Sequence, residues 1–179
     1  MDILQKADSN TPKKHFYVVG KNDECYTPAY CITPILEFIP KDAVVWCPFD
    51  KPESEFVKII SRTNKVVHSH IHTGQDFLSF EPSEHWDIIV SNPPFANKIK
   101  FFERAISFGK PFALIMNNGF LSDSGPSKIF GEDLQLLMFS QRMRFMKPDG
   151  TQMKSPPFGS SYFCYKLLPK PIVFRELKN

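Results

Sequence analysis

Residues 86–91, Trp-Asp-Ile-Ile-Val-Ser, form a mostly apolar run that passes straight into Asn92-Pro93-Pro94-Phe95. A short, nearly continuous apolar run of this kind is the mark of a strand covered on both faces, as in a sheet sandwiched between helices. The two prolines then fix φ at successive positions and remove two backbone N–H groups, so the strand ends at the motif. The chain is thereby committed to placing a polar amide at the carboxyl end of a buried strand. That is the end at which open α/β sheets bind ligands.

The rest of the chain agrees with such a sheet. Residues 43–47, 65–71, 111–117, 134–146 and 161–168 read as further strands. Between them, 53–62 carries Phe56, Val57, Ile59 and Ile60 at helical spacing, and 98–108 carries Ile99, Phe102, Ala105 and Ile106 on one helical face. Near the start, Thr33-Pro34 reads as the N-cap and first turn of a helix stopped by Pro40. Strands alternating with helices predict βαβ units, hence an α/β fold with a mostly parallel sheet, helices on both faces and a C-terminal antiparallel hairpin. Residues 1–20 read as a polar N-terminal tail and 21–179 as a single domain, which suits a chain of 179 residues.

Composition narrows the function classes. With 18 Phe the chain has ample apolar surface to offset ordering entropy, which excludes intrinsic disorder. With only 8 Gly it is poorly supplied for glycine-rich loops. The net charge of +3 permits a nucleic-acid partner without demanding one. Cys25, Cys31, Cys47 and Cys164 form no Cys-x-x-Cys pair, so neither a zinc site nor a disulfide scaffold is expected, and a reducing cytoplasm fits. His68, His70 and His72 alternate as metal ligands on one strand face would. They lack an acidic or thiol partner at a useful spacing, and a partly exposed strand end is the preferred reading, with no metal expected. No run is apolar and long enough for a membrane span, and residues 1–14 contain no secretory apolar core, so a soluble, cytoplasmic protein without membrane contact is expected.

The chemistry lies in Asn92, Pro93, Pro94 and Phe95. The Asn92 side-chain oxygen and the carbonyl between the prolines are rigid acceptors, and Phe95 supplies a flat apolar face beside them. This set suits a planar ring bearing an exocyclic amino group. Accepting both N–H bonds favours a pyramidal nitrogen and localises its lone pair for attack, a stabilisation aimed at the transition state.

Asn-Pro-Pro-Phe after a hydrophobic strand resembles the catalytic motif of the S-adenosylmethionine-dependent amino-methyltransferases. Together with Tyr26-Thr27-Pro28, Trp46-Cys47-Pro48-Phe49-Asp50, Thr73-Gly74-Gln75-Asp76-Phe77 and Ser155-Pro156-Pro157-Phe158-Gly159-Ser160-Ser161, it makes residues 20–168 resemble an adenine-specific (N6) DNA methyltransferase of phage or prophage type. The resemblance implies a Rossmann-like methyltransferase fold, S-adenosylmethionine as cofactor and adenine in DNA as substrate. It implies cofactor contacts from Tyr26, Thr27, Pro28, Cys47, Pro48, Asp50, Asp76 and Phe77, with Asp76 at a strand end on the cofactor's amino group and Phe77 against its ring. The sequence departs from the pattern at the first strand, where Lys51 and Glu53 replace glycines and Cys47 an acid. The acid expected after the second strand is also missing from 66–71. Asp50 is the candidate to take over methionine or ribose contacts.

Lys98, Lys100 and Arg104 follow the motif and are read as contacts to nucleic-acid backbone beside an extruded base. Lys147-Pro148-Asp149-Gly150 reads as a hairpin tip, its neighbours Arg142, Arg144, Lys147 and Lys154 forming either a solvated face or phosphate contacts. No segment is long enough for a separate target-recognition region, so low specificity, a homodimer or a separate specificity subunit could each fill the gap. An RNA-base amino-methyltransferase and a non-catalytic nucleic-acid-binding module are the competing readings.

Overall fold

The computed structural model describes residues 25–154 and 156–178, so the expected tail of 1–20 lies outside the described residues. Within them the strands are β1 (Val45–Cys47), β2 (Val66–His68), β3 (Ile88–Ser91), β4 (Phe112–Asn117), β5 (Gln135–Phe139), β6 (Ser160–Tyr165) and β7 (Ile172–Arg175). They form one sheet in the order β2-β1-β3-β4-β6-β5-β7. Strand β6 alone runs against the rest, antiparallel to β4 and to β5, and every other pairing is parallel. The mixed α/β architecture, mostly parallel with one reversed strand near the C-terminus, is the one the sequence pattern predicts.

Helices α1 (Ala29–Ile32), α2 (Glu55–Ile60), α3 (Lys98–Ser107) and α4 (Gly125–Phe130) complete the two outer layers. Side chains alternate across the pleat, so each strand feeds two cores. Cys47, Val90, Ile115 and Tyr162 pack toward Cys31 and Ile32 of α1 and Phe56, Ile59 and Ile60 of α2. Trp46, Ile89, Leu114 and Phe163 pack toward Phe101, Phe102 and Ala105 of α3 and Phe130 of α4. The second core is built mainly of rings. Trp46 alone lies within 5.1–5.8 Å of Trp86, Phe77 and Phe108, centroid to centroid. Among the described residues no helix is long and apolar enough to cross a membrane.

Several local expectations are corrected. Thr33 does not cap a helix: α1 starts at Ala29, the Thr33 hydroxyl donates back to the Ala29 carbonyl at 3.1 Å, and 33–38 tightens into a 3-10 turn. The stretch 65–71 is strand only over Val66–His68, and a 3-10 turn at Ile71–Thr73 follows, closed by Gly74 at φ 78°, a conformation that glycine adopts without a Cβ clash. No strand therefore leads into Asp76. Its carboxylate instead accepts from the Leu78 N–H at 3.0 Å, holding a local turn. Strand β5 stops at Phe139 rather than continuing to 146. Strand β7 and helix α4 have no counterpart among the elements expected from sequence. Pro171 sits just before β7, at the sheet's edge, where a missing N–H is tolerated.

Candidate active site

The carboxyl ends of β1 and β3 lie side by side in the middle of the sheet and open into a cleft of about 600 Å³. Its floor is the segment after β1 (Pro48, Phe49, Asp50) and the motif after β3 (Asn92 to Phe95). His70, Ile71, Asp76 and Phe77 also line it, as does the strap between β5 and β6, through Phe145, Met153 and Phe158. Tyr26 and Thr27 close the top.

Asn92 is held by a contact across the chain. Its Nδ2 donates to Thr27 Oγ1 at 3.1 Å. That bond fixes the amide's orientation and leaves Oδ1 buried without a hydrogen-bond partner among the described residues. A buried acceptor left this way costs roughly 1–3 kcal/mol until it takes a donor. Pro93 is buried and Pro94 exposed. Phe95 is half-buried, and its ring centroid stands 5.7 Å from that of Phe158.

Behind the motif, Asp50 is 7% exposed. Ser91 Oγ donates a hydrogen bond to Asp50 Oδ2, and Ser54 adds another to the same carboxyl. Ser54 also caps α2, its Oγ accepting from the Val57 N–H at 3.3 Å. Burial nonetheless dominates and pushes the Asp50 carboxyl up to about 6, the two hydroxyls pulling the other way. One carboxyl group thus joins the end of β1, the start of α2 and the residue preceding Asn92.

The sequence-derived residues divide by location. Tyr26, Thr27, Pro48, Asp50, Asp76, Phe77 and Asn92 to Phe95 all line the cleft. Phe77 does so mainly from within the core: it is 1% exposed and packs on Trp46 and Phe49. Cys47 and Pro28 are not lining residues. Cys47 is fully buried under the sheet, and burial raises its thiol well above the ordinary range. Lys98, Lys100 and Arg104 lie on α3 away from the lining. Lys98 pairs with Asp123 at 2.7 Å, and the Arg104 guanidinium lies 4.5 Å from the centroid of the Phe108 ring. His70 lines the cleft, and its Nδ1 accepts from the His72 N–H at 3.1 Å. Among the described residues no three His, Cys, Asp or Glu side chains are grouped to hold a metal.

Sequence reasoning assigned no role to Phe49, Phe145, Met153 or Phe158. A signal for Phe158 was present: Pro-Pro-Phe occurs twice, at 93–95 and at 156–158, and the two phenyl rings meet across the mouth of the cleft.

No family model and no curated protein matches this sequence. Among solved structures the fold is similar to that of a Listeria monocytogenes protein, an inferred class I S-adenosylmethionine-dependent methyltransferase, with a TM-score of 0.51 at 10% identity. The match covers 86% of this chain and 66% of the Listeria chain, just under two thirds of its length. A possible methylase from Clostridium difficile 630 matches with a TM-score of 0.33 at 13% identity, covering 73% of this chain and 34% of the other. A TehB-like S-adenosylmethionine-dependent methyltransferase from Corynebacterium glutamicum gives 0.36 at 14%, covering 81% and 89%. The first of these shows a likeness of fold, a Rossmann-like α/β sheet.

Proposed function

We propose that this protein transfers a methyl group from S-adenosylmethionine to the exocyclic N6 amino group of adenine in DNA. The observation that carries the proposal is Asn92 Oδ1, a buried acceptor without a partner among the described residues, on a residue that lines an aromatic-walled cleft at the end of an interior strand. The strand end, the rigid proline pair and the fold all support the same reading.

The cleft's own residues fit the cofactor. It is large enough for a nucleoside with an amino-acid tail, and Asp50, Glu53, Glu55 and Asp76, against Lys51, give it a net acidic lining that suits a ligand carrying a sulfonium and an ammonium group. Asp50 would hold the methionine end, Asp76 the nucleoside end, and Phe49 and Phe77 the ring. When bound, the cofactor supplies an electrophilic methyl group on a sulfonium.

The chain's part in catalysis is to prepare the amino group. Asn92 Oδ1 and the Pro93 carbonyl each accept one N–H of the target amine, drawing its lone pair out of conjugation with the ring. Phe95 and Phe158 hold the ring plane. Neither acceptor need be basic before attack, because the surplus proton leaves the nitrogen only after the methyl has arrived. Thr27 keeps the Asn92 amide from turning its Nδ2 toward the substrate, where a donor would meet a donor.

Transfer of labelled methyl to DNA, with hydrolysis to nucleosides to identify N6-methyladenine, is the test. Asn92→Ala is expected to lose at least about 100-fold in rate, the scale seen for removal of one transition-state hydrogen bond, with cofactor affinity by calorimetry unchanged. Equal rates for the variant and wild type refute the role of Asn92. Label appearing only in RNA or protein refutes the substrate.

A further inference from the structure

The strap between β5 and β6 carries a feature that methyl transfer itself does not use. From Gln141 to Phe158 the sequence holds four cations, Arg142, Arg144, Lys147 and Lys154, against a single acid, Asp149. The net +3 of this short segment equals that of the whole chain. The strap folds back as a hairpin: the Met153 N–H donates to the Phe145 carbonyl at 2.9 Å and the Lys147 N–H to the Thr151 carbonyl at 2.8 Å, with Gly150 at φ 80° turning the tip. Side chains alternate along its first arm. Met143 and Phe145 are buried and Arg142 and Arg144 exposed, while Lys147 is exposed at the tip and Lys154 on the return.

Anchoring makes this a fixed surface. Tyr26 and Met146 exchange two backbone hydrogen bonds, each of 2.8 Å. The Arg144 N–H donates to the Tyr30 hydroxyl at 3.0 Å, and Arg142 Nη1 donates to the Pro156 carbonyl at 2.8 Å, tying the strap's two arms together beside Phe158. The one carboxylate is engaged locally, accepting from the Thr151 N–H at 2.8 Å and its hydroxyl at 2.6 Å. None of the ion pairs among the described residues involves Arg144, Lys147 or Lys154. Of the cations expected from sequence to do this work, Lys98 is paired with Asp123 and Arg104 lies over Phe108.

We infer that Arg144, Lys147 and Lys154 form a phosphate-contacting surface that holds the DNA backbone next to the cleft, while the inner face of the same hairpin, Phe145 and Met153, lines the cleft. The choice of DNA rests on the base-methylation reading above. A hairpin with one face in the pocket and the other on the backbone couples strand position to base entry, since phosphate contacts set register and orientation without reading sequence.

The test is anisotropy of a labelled mixed-sequence DNA, single-stranded and duplex, titrated with the full chain across about 50 to 200 mM salt. The triple variant Arg144→Gln/Lys147→Gln/Lys154→Gln is expected to bind at least tenfold more weakly. Its slope of log affinity against log salt should be shallower by about 2 to 3, one unit or slightly less per lost phosphate contact. Single glutamine variants, each giving a proportionate part of the change, guard against misfolding of the triple. An unchanged slope, or no DNA binding by wild type, overturns the inference, and RNA of the same sequence displacing the DNA at lower concentration overturns the choice of DNA. Calorimetry with S-adenosylmethionine separates the two readings. Loss of salt slope in the variant with no cofactor binding by wild type upholds the surface and removes the methyltransferase reading.

Discussion

Asp50→Asn is the most informative single substitution, because it changes charge at a buried site while keeping shape. The Asp50 carboxyl moves from 3.8 in the unfolded chain to about 6 in the fold. Between those values the folded protein holds a proton that the unfolded chain has released, so wild-type stability falls as pH rises through the window. A gap of about two pH units corresponds to about 3 kcal/mol, absent below pH 4 and fully imposed above about pH 7. Asparagine carries no charge, and the Ser91 and Ser54 hydroxyls can rotate to meet its amide. The variant should therefore match wild type near pH 4 and exceed it by up to about 3 kcal/mol at pH 8, or about 6–12 °C in Tm for a chain of this size. Denaturant unfolding followed by the fluorescence of Trp46 and Trp86, at several pH values, measures this directly. The same substitution should weaken S-adenosylmethionine binding in calorimetry, because a cationic ligand is what the buried charge is placed to meet. Parallel stability profiles for the two proteins from pH 4 to 8, or a less stable variant at pH 8, refute the reasoning.

Three further substitutions have defined outcomes. Gln135→Ala removes a side chain whose Oε1 accepts from the Leu167 and Leu168 N–H groups at 2.8 and 2.9 Å and whose Nε2 donates to the Leu168 carbonyl at 2.7 Å; urea unfolding should show a loss of about 2–3 kcal/mol. Phe102→Ala opens a void among Phe112, Phe120, Phe130 and Phe163, whose centroids lie 5.3–6.1 Å away; the expected loss is about 3–5 kcal/mol in the same assay. Phe158→Ala should raise the KM for nucleic acid about tenfold, the scale of one base–aromatic stack, and leave the cofactor Kd unchanged; an unchanged KM would place Phe158 outside the substrate site.

What could be read from the sequence was whatever is encoded locally. Strand β3 and its motif are legible because an apolar run and a proline pair each act within a few residues. Helix α3 is legible because Phe102 and Ala105 repeat at helical spacing. Strand β7 was hidden because Pro169 and Pro171 signal a turn, and only its position at the sheet edge makes them harmless. The residues around Asp76 were expected to follow a strand, but Gly74 turns the chain before one can form. The contacts that complete the site are long-range and leave no local trace: Thr27 meets Asn92 across 65 residues of chain. The partners of the basic residues on α3 are equally long-range, since Asp123, which engages Lys98, lies 25 residues further on.

The strap's attachment to Tyr26 carries a consequence for timing. The pocket's top comes from the first described residues and its far wall from the strap near the C-terminus, with β6 threaded between β4 and β5 only after both have been made. During synthesis the Asn92 motif emerges long before Phe158, so a nascent chain presents the chemical half of the site without its enclosure. Activity would switch on as one late event, when β6 slots into place and the strap latches onto the N-terminal segment. On the proposed function, a ribosome-bound or C-terminally clipped chain would then be inactive even with its central strands already assembled.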